Sequence, residues 1–171
     1  MRSFGSDNNS GVHPRIMDAI VESNTNHAIG YGDDNWTRKA EQAMQTLLEN
    51  DSITPYFVFN GTGANVIALQ ACLSSFHSII CPTTAHIAVD ECGAPSKLTG
   101  CVLKEIATHD GKLTPELVAT QLHSWGFEHA SQPKVIAISQ TTELGTLYTP
   151  KEIKALADLA HQHDMYLFMD G

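Results

Sequence analysis

Three places in the sequence set polar or ionisable side chains directly after an apolar run. Asn60-Gly61-Thr62-Gly63-Ala64-Asn65 opens a helix-forming stretch, and small residues there leave backbone N–H groups free at the positive helix end, where a phosphate could lie. It is not a dinucleotide fingerprint, because Val66 replaces the third glycine and no acidic residue follows ~20 positions on. Nor is it a Walker A loop, since no Gly-Lys-Ser/Thr follows. A tight turn that needs glycine only for its dihedral angles explains these residues equally well. His86 stands a few residues beyond the run Ser78-Ile79-Ile80-Cys81; a lone His there is more often structural than catalytic. His86, Glu91 and Asp33-Asp34 could formally ligate a metal, but no His-x-x-His or His-x-x-x-His spacing supports one, and none is expected. His129, in Gly126-Phe127-Glu128-His129, reads locally as a loop residue. Asp170 ends the apolar run Tyr166-Leu167-Phe168-Met169. A carboxylate there is costly unless a cation or hydrogen-bond donor faces it, although a helix N-cap would be an ordinary use for Asp.

The surrounding elements are those that could aim such groups at one point. Pro14 starts a short amphipathic helix with Ile16, Met17, Ile20 and Val21 as its stripe, and Trp36, Ala40, Ala43, Met44, Leu47 and Leu48 recur at helical spacing. Beyond them, short apolar runs alternate with helices. Tyr56–Phe59, Ser78–Cys81, Cys101–Leu103, Val135–Ser139 and Tyr166–Met169 read as strands. Helices are expected from Gly61 to about Leu73, from Thr114-Pro115 to about His123, and after the capping box Thr149-Pro150-Lys151-Glu152. Strands apolar on both faces that alternate with helices imply an α/β fold of three layers, a mostly parallel sheet with helices on both faces. In such sheets ligands bind beyond the carboxyl ends of the strands, which is where His86 and Asp170 fall.

Composition narrows the classes further. The 171 residues are 42% apolar with a formal charge of −9, which suits one globular unit and not a nucleic-acid surface, because phosphates demand clustered Lys and Arg. No run approaches the ~18 apolar residues of a membrane span, and the first ten residues lack the core of a signal peptide. A cytoplasmic protein is expected. Cys72, Cys81, Cys92 and Cys101 form no Cys-x-x-Cys pair and read as reduced thiols.

Taken in order, Ser6-Asp7-Asn8, Tyr31-Gly32-Asp33-Asp34, Phe59-Asn60-Gly61-Thr62-Gly63-Ala64-Asn65, His86 with Asp90-Glu91-Cys92-Gly93-Ala94-Pro95, Thr142-Glu143-Leu144-Gly145-Thr146 and Met169-Asp170-Gly171 resemble one family. It is the threonine aldolase and β-eliminating lyase branch of the aspartate-aminotransferase-like enzymes, which use pyridoxal 5'-phosphate, and within it the low-specificity L-threonine aldolases. The resemblance implies that Gly61 and Thr62 bind the cofactor phosphate, that His86 stacks on its ring, and that Asp170 pairs with its pyridinium nitrogen. It places Ser6 and Tyr31 near the substrate carboxylate and the cofactor of a neighbouring subunit. His129 takes the place of a loop histidine that helps remove the β-hydroxyl proton, with His86 as the competing candidate. The implied reaction cleaves Cα–Cβ of L-threonine or L-allo-threonine to glycine and acetaldehyde, in a homodimer or homotetramer.

Family members continue past Asp-Gly to the Schiff-base lysine and a small C-terminal domain. Residues 1–171 are therefore expected to be an N-terminal arm plus the first part of the cofactor-binding large domain, lacking the rest of that domain and the small domain. Alone they are expected to be inactive, the last lysine being Lys154 inside a helix. Two alternatives stand beside this reading: another pyridoxal-phosphate β-eliminating lyase or aminotransferase, and a non-catalytic truncated remnant.

Overall fold

A computed structural model describes residues 9–171, in two compact units that divide between Phe57 and Val58. In the first unit, helix α1 (Pro14–Ser23) takes Pro14 as its first residue, where a missing N–H costs nothing. The ring Nδ1 of His13 accepts the Arg15 N–H at 3.2 Å. Helix α2 (Asn35–Leu47) is capped by Asp34, whose Oδ1 accepts the N–H groups of Trp36 and Thr37, both at 2.8 Å. The Thr37 hydroxyl donates to Oδ2 at 2.7 Å and is the main reason the Asp34 carboxyl is held below its ordinary range. Both helices are amphipathic as expected, yet neither contains a buried residue.

The second unit contains helix α3 (Gly61–Cys72), strand β1 (His77–Pro82), the short helices α4 (His86–Val89) and α5 (Ala94–Thr99), strand β2 (Val102–Ile106) and helix α6 (Pro115–Ala119). A 3₁₀ turn (Leu122–Ser124), strand β3 (Gln132–Ser139), helix α7 (Pro150–Gln162) and strand β4 (Tyr166–Asp170) complete it. The four strands form one sheet in the order β2-β1-β3-β4, all parallel. Successive residues of a strand point to opposite faces, and β1 and β3 are apolar on both. Ile80, Ile136 and Ile138 pack with Val118 of α6 and Leu156 and Ala160 of α7. Ile79, Cys81, Val135 and Ala137 pack on the other face with Leu69 of α3 and Ile87 of α4. Helices thus cover both faces of a parallel sheet. Burial in this core lifts the Cys81 thiol to about 12.

Within the connection from β3 to α7, one side chain bridges the two ends. The Gln140 amide accepts the Tyr148 N–H at 2.9 Å and donates to the Tyr148 carbonyl at 3.0 Å, as a neighbouring strand would. The Tyr148 phenol oxygen in turn accepts the Leu113 N–H at 2.6 Å. At α7 the expected capping box is present, Thr149 Oγ1 accepting the Glu152 N–H while Glu152 Oε2 accepts the Thr149 N–H at 2.7 Å.

Three expectations need correction. Tyr56–Phe59 is not a strand; Tyr56 and Phe59 are 81% and 101% exposed. A strand requires a neighbour for its N–H and C=O groups, and this run is not a member of the sheet β2-β1-β3-β4. The helix after Thr114 ends at Ala119, where Thr120 Oγ1 donates to the Leu117 carbonyl at 2.6 Å and the chain continues into the 3₁₀ turn. Such side-chain bonds compete with helix continuation. Helices α4 and α5 were not expected, because four and six residues are too short to show a helical period.

Among the described residues, no helix is long and apolar enough to cross a membrane.

Candidate active site

The carboxyl ends of β1, β3 and β4 converge on a small cleft lined by Ala85, His86, Ile87, Ser139, Phe168 and Asp170, among others. Each polar group reaches it for a local reason. Helix α4 begins at His86 without a side-chain cap on its own N-cap residue. Instead Glu143, from the loop after β3, accepts the His86 backbone N–H at 2.9 Å and the Ser139 hydroxyl at 2.7 Å. A carboxylate at a helix start is favoured by the partial positive charge there, so the loop after β3 fixes where α4 begins. Asp170 ends β4, and its backbone carbonyl accepts the Gln140 N–H at 2.7 Å, tying the ends of β3 and β4 together.

Behind the cleft lies a buried polar chain. The Asn65 side-chain amide on α3 donates to Glu91 Oε1 at 2.7 Å and to Asp170 Oδ2 at 3.1 Å. Glu91 Oε1 also faces the His86 ring Nδ1 at 3.0 Å. The Glu91 side chain is fully buried, while that of His86 is 46% exposed. Glu91 Oε2 is buried without a partner. One turn before Asn65, at the start of α3, Asn60 satisfies two of the first N–H groups. Its Oδ1 accepts from Gly63 at 2.8 Å and its backbone carbonyl from Ala64 at 3.1 Å. The N–H groups of Gly61 and Thr62 keep no partner among the described residues.

The structure therefore brings His86 and Asp170 into one cleft and places Gly61 and Thr62 on the helix whose Asn65 touches Asp170. His129 is elsewhere. It lies just before β3, at the opposite end of that eight-residue strand from Ser139, against Phe127 and 3.7 Å from Glu128. Tyr31 is fully exposed in the first unit, with a left-handed φ of 65°. Ser6 lies outside the described residues. The sequence reading gave Asn65, Ser139 and Glu143 no individual role, and it weighed Glu91 only as a metal ligand that was not expected. For Asn65 a signal existed, since a polar, weak helix former sits among Ala64, Val66, Ile67, Ala68 and Leu69. The pairing of Glu91 with His86 could not be inferred, because nothing local shows that Glu91 is buried.

Residues 3–171 match the model of the beta-eliminating lyase family. The chain belongs to that family. It is 41% identical to the low specificity L-threonine aldolase of Pseudomonas aeruginosa over 99% of its own length and 49% of that protein. A low specificity L-threonine aldolase of a Pseudomonas species is 39% identical over the same shares. Among solved structures, the threonine aldolase of Leishmania major superposes with a TM-score of 0.91 at 34% identity, covering 95% of this chain and 47% of that one. An aminotransferase from Mycobacterium tuberculosis superposes at 0.62 with 15% identity, over 90% of this chain and 41% of that one, which shows a common fold. The chain spans about half the length of the curated relatives it matches.

Proposed function

We propose that the protein is a pyridoxal-phosphate-dependent carbon–carbon lyase of the threonine aldolase type, which splits L-threonine and L-allo-threonine into glycine and acetaldehyde. The observation that carries this reading is the meeting of the His86 ring and the Asp170 carboxylate in one cleft at the strand ends. The residues present suit the cofactor. Asp170 offers a carboxylate to a protonated ring nitrogen, His86 a flat ring to lie against another, and the unpartnered Gly61 and Thr62 N–H groups a place for a phosphate at a helix start. When bound, the cofactor supplies an electron sink for the pair left on Cα by bond cleavage.

The protein's own groups bind, orient and move the proton. The Asp170 carboxylate would face the cofactor's ring nitrogen and favour its protonated form, and the apolar walls Ile87 and Phe168 would limit water around it. A base must take the β-hydroxyl proton as the Cα–Cβ bond breaks. Of the two candidate histidines only His86 lines the cleft of its own chain, and we assign it that proton. Ser6 and Tyr31 are assigned to the substrate carboxylate and the cofactor of a neighbouring subunit, in a homodimer or homotetramer. No lysine is among the cleft-lining residues, and Lys154 is 74% exposed and bonded to Asp158 at 2.6 Å. We therefore infer that residues 1–171 alone do not turn over substrate. The four free cysteines suit a reducing cytoplasm.

The test uses the protein expressed from its complete reading frame. With pyridoxal phosphate and L-allo-threonine it should release acetaldehyde and glycine in equal amounts, and Asp170→Ala should lower the rate by at least about a hundredfold. Pyruvate from serine without acetaldehyde from L-allo-threonine would assign it to the β-eliminating enzymes instead. Failure to take up the cofactor would sink the proposal.

A further inference from the structure

Asn65 stands at a buried position of α3 where an apolar residue would serve the helix better. Its side-chain NH₂ carries two hydrogens, and the geometry gives one to each of two carboxylates: Glu91 Oε1 at 2.7 Å, 26 residues away, and Asp170 Oδ2 at 3.1 Å, 105 residues away. No Lys or Arg forms an ion pair with either among the described residues. The fully buried Glu91 thus depends on two donors, Asn65 and the His86 Nδ1 at 3.0 Å, both on the same oxygen. Glu91 Oε1, the acceptor of the Asn65 N–H, also faces Nδ1, and that geometry suits the His86 tautomer that carries its proton on Nδ1. Nε2 then holds a free lone pair.

We propose that Asn65 is a positioning residue that sets both working groups of the cleft through one amide. By donating to Glu91 it fixes the His86 ring with Nδ1 protonated and Nε2 open as a proton acceptor. By donating to Asp170 it holds that carboxylate at the end of β4, ready for a cationic ring nitrogen. Removing the amide loosens both at once, although the two carboxylates lie on separate elements. The inference deepens the function proposed above and rests on that reading for what Asp170 and His86 serve. The tautomer it assigns does not depend on that reading.

Two measurements on the protein from its complete reading frame test it, the first without cofactor. Nitrogen-15 NMR of the histidine rings, with His86 identified by the signal lost in His86→Asn, should show the neutral ring protonated on Nδ1. In Asn65→Leu, with the same number and branching of side-chain heavy atoms but without donors, that preference should fall toward the Nε2-protonated form usual in solution. The second is the equilibrium affinity for pyridoxal phosphate. Loss of a hydrogen bond to a charged group should weaken it ~10- to 100-fold in Asn65→Leu, with Asp170→Asn as the reference for direct loss.

A wild-type His86 protonated on Nε2 would overturn the inference, as would an Asn65→Leu protein that keeps both the tautomer and the affinity within twofold. A purely structural Asn65 would lower stability while leaving the tautomer in place, and that too would refute it. Should Asn65→Leu not fold, Asn65→Ala, which also lacks a side-chain donor, makes the same comparison. A wild-type protein that binds no pyridoxal phosphate would defeat the functional reading, and the tautomer would then decide on Asn65 alone.

Discussion

Residues 9–57 and 58–171 carry apolar stripes of similar regularity and use them in opposite ways. In α1, Ile16, Met17, Ile20 and Val21 are 56%, 45%, 50% and 68% exposed. In the second unit the corresponding side chains are taken into two clusters on the faces of the sheet, and Leu156, Ile136 and Val118 are wholly buried. The helical period of α1 and α2 is as clear as that of α7, so the period shows that a helix has an apolar side without showing what covers it. A sheet face is a large apolar surface that any amphipathic helix can cover. Helices α1 and α2 meet no such surface within their own unit.

The contrast can be broken by substitution, beginning with the largest expected effect. Leu156→Ala removes the contacts of three buried carbons from the packing between α7 and the sheet, and should lower the unfolding free energy by about 2–5 kcal/mol in a urea titration. A loss below about 1 kcal/mol would mean that the second unit does not depend on this cluster. Tyr148→Phe tests the polar side of the same core, because it leaves the buried Leu113 N–H without its acceptor. The expected loss is about 1–3 kcal/mol, read from the denaturant midpoint. Burial already lifts the Tyr148 phenol to about 12, so this loss should not vary between pH 6 and pH 9.

Acid acts on the start of α7. The Lys112 ammonium, 2.6 Å from Glu152 Oε1, is the first cause that lowers the Glu152 carboxyl to about 2 from 4.5, and Thr149 adds to it. A carboxyl lowered by folding stabilises the native state above its unfolded value. That contribution should be lost as pH falls from about 4.5 toward 2. Denaturant midpoints measured across this range should fall for the wild type more steeply than for Glu152→Gln; parallel curves would remove the Lys112–Glu152 pair from the account. The smallest effect is expected in the first unit. Ile20→Ala removes a half-exposed side chain, and its change in stability should stay within about 0.5 kcal/mol. A loss as large as that of Leu156→Ala would show that the α1 stripe is covered in solution and would erase the contrast between the units.

Much of the architecture was legible because it rests on short-range rules. Pro14 and Pro150 at helix starts, Asp34, Thr114 and Thr149 as caps, and apolar runs near β1, β3 and β4 all act over a few residues, and each marks an element that the structure contains. The doubly apolar strands alternating with helices implied a parallel sheet covered on both sides, and that arrangement is present. Tyr56–Phe59 had strand composition but no ladder partner, and a ladder partner is a non-local condition.

The same distinction separates the parts of the site. The sequence by itself determined that Gly61 and Thr62 open a helix and that His86 and Asp170 follow strand ends, since these facts depend on neighbours in the chain. Only the tertiary structure decided that Asn65 joins Glu91 to Asp170, that Glu143 secures the first turn of α4 from 57 residues away, and that His129 stands apart from the cleft. The physical reason is that a buried carboxylate must find donors wherever the fold brings them. Strand order and the packing of α3 against the sheet select those donors, and neither is visible in any short stretch of residues.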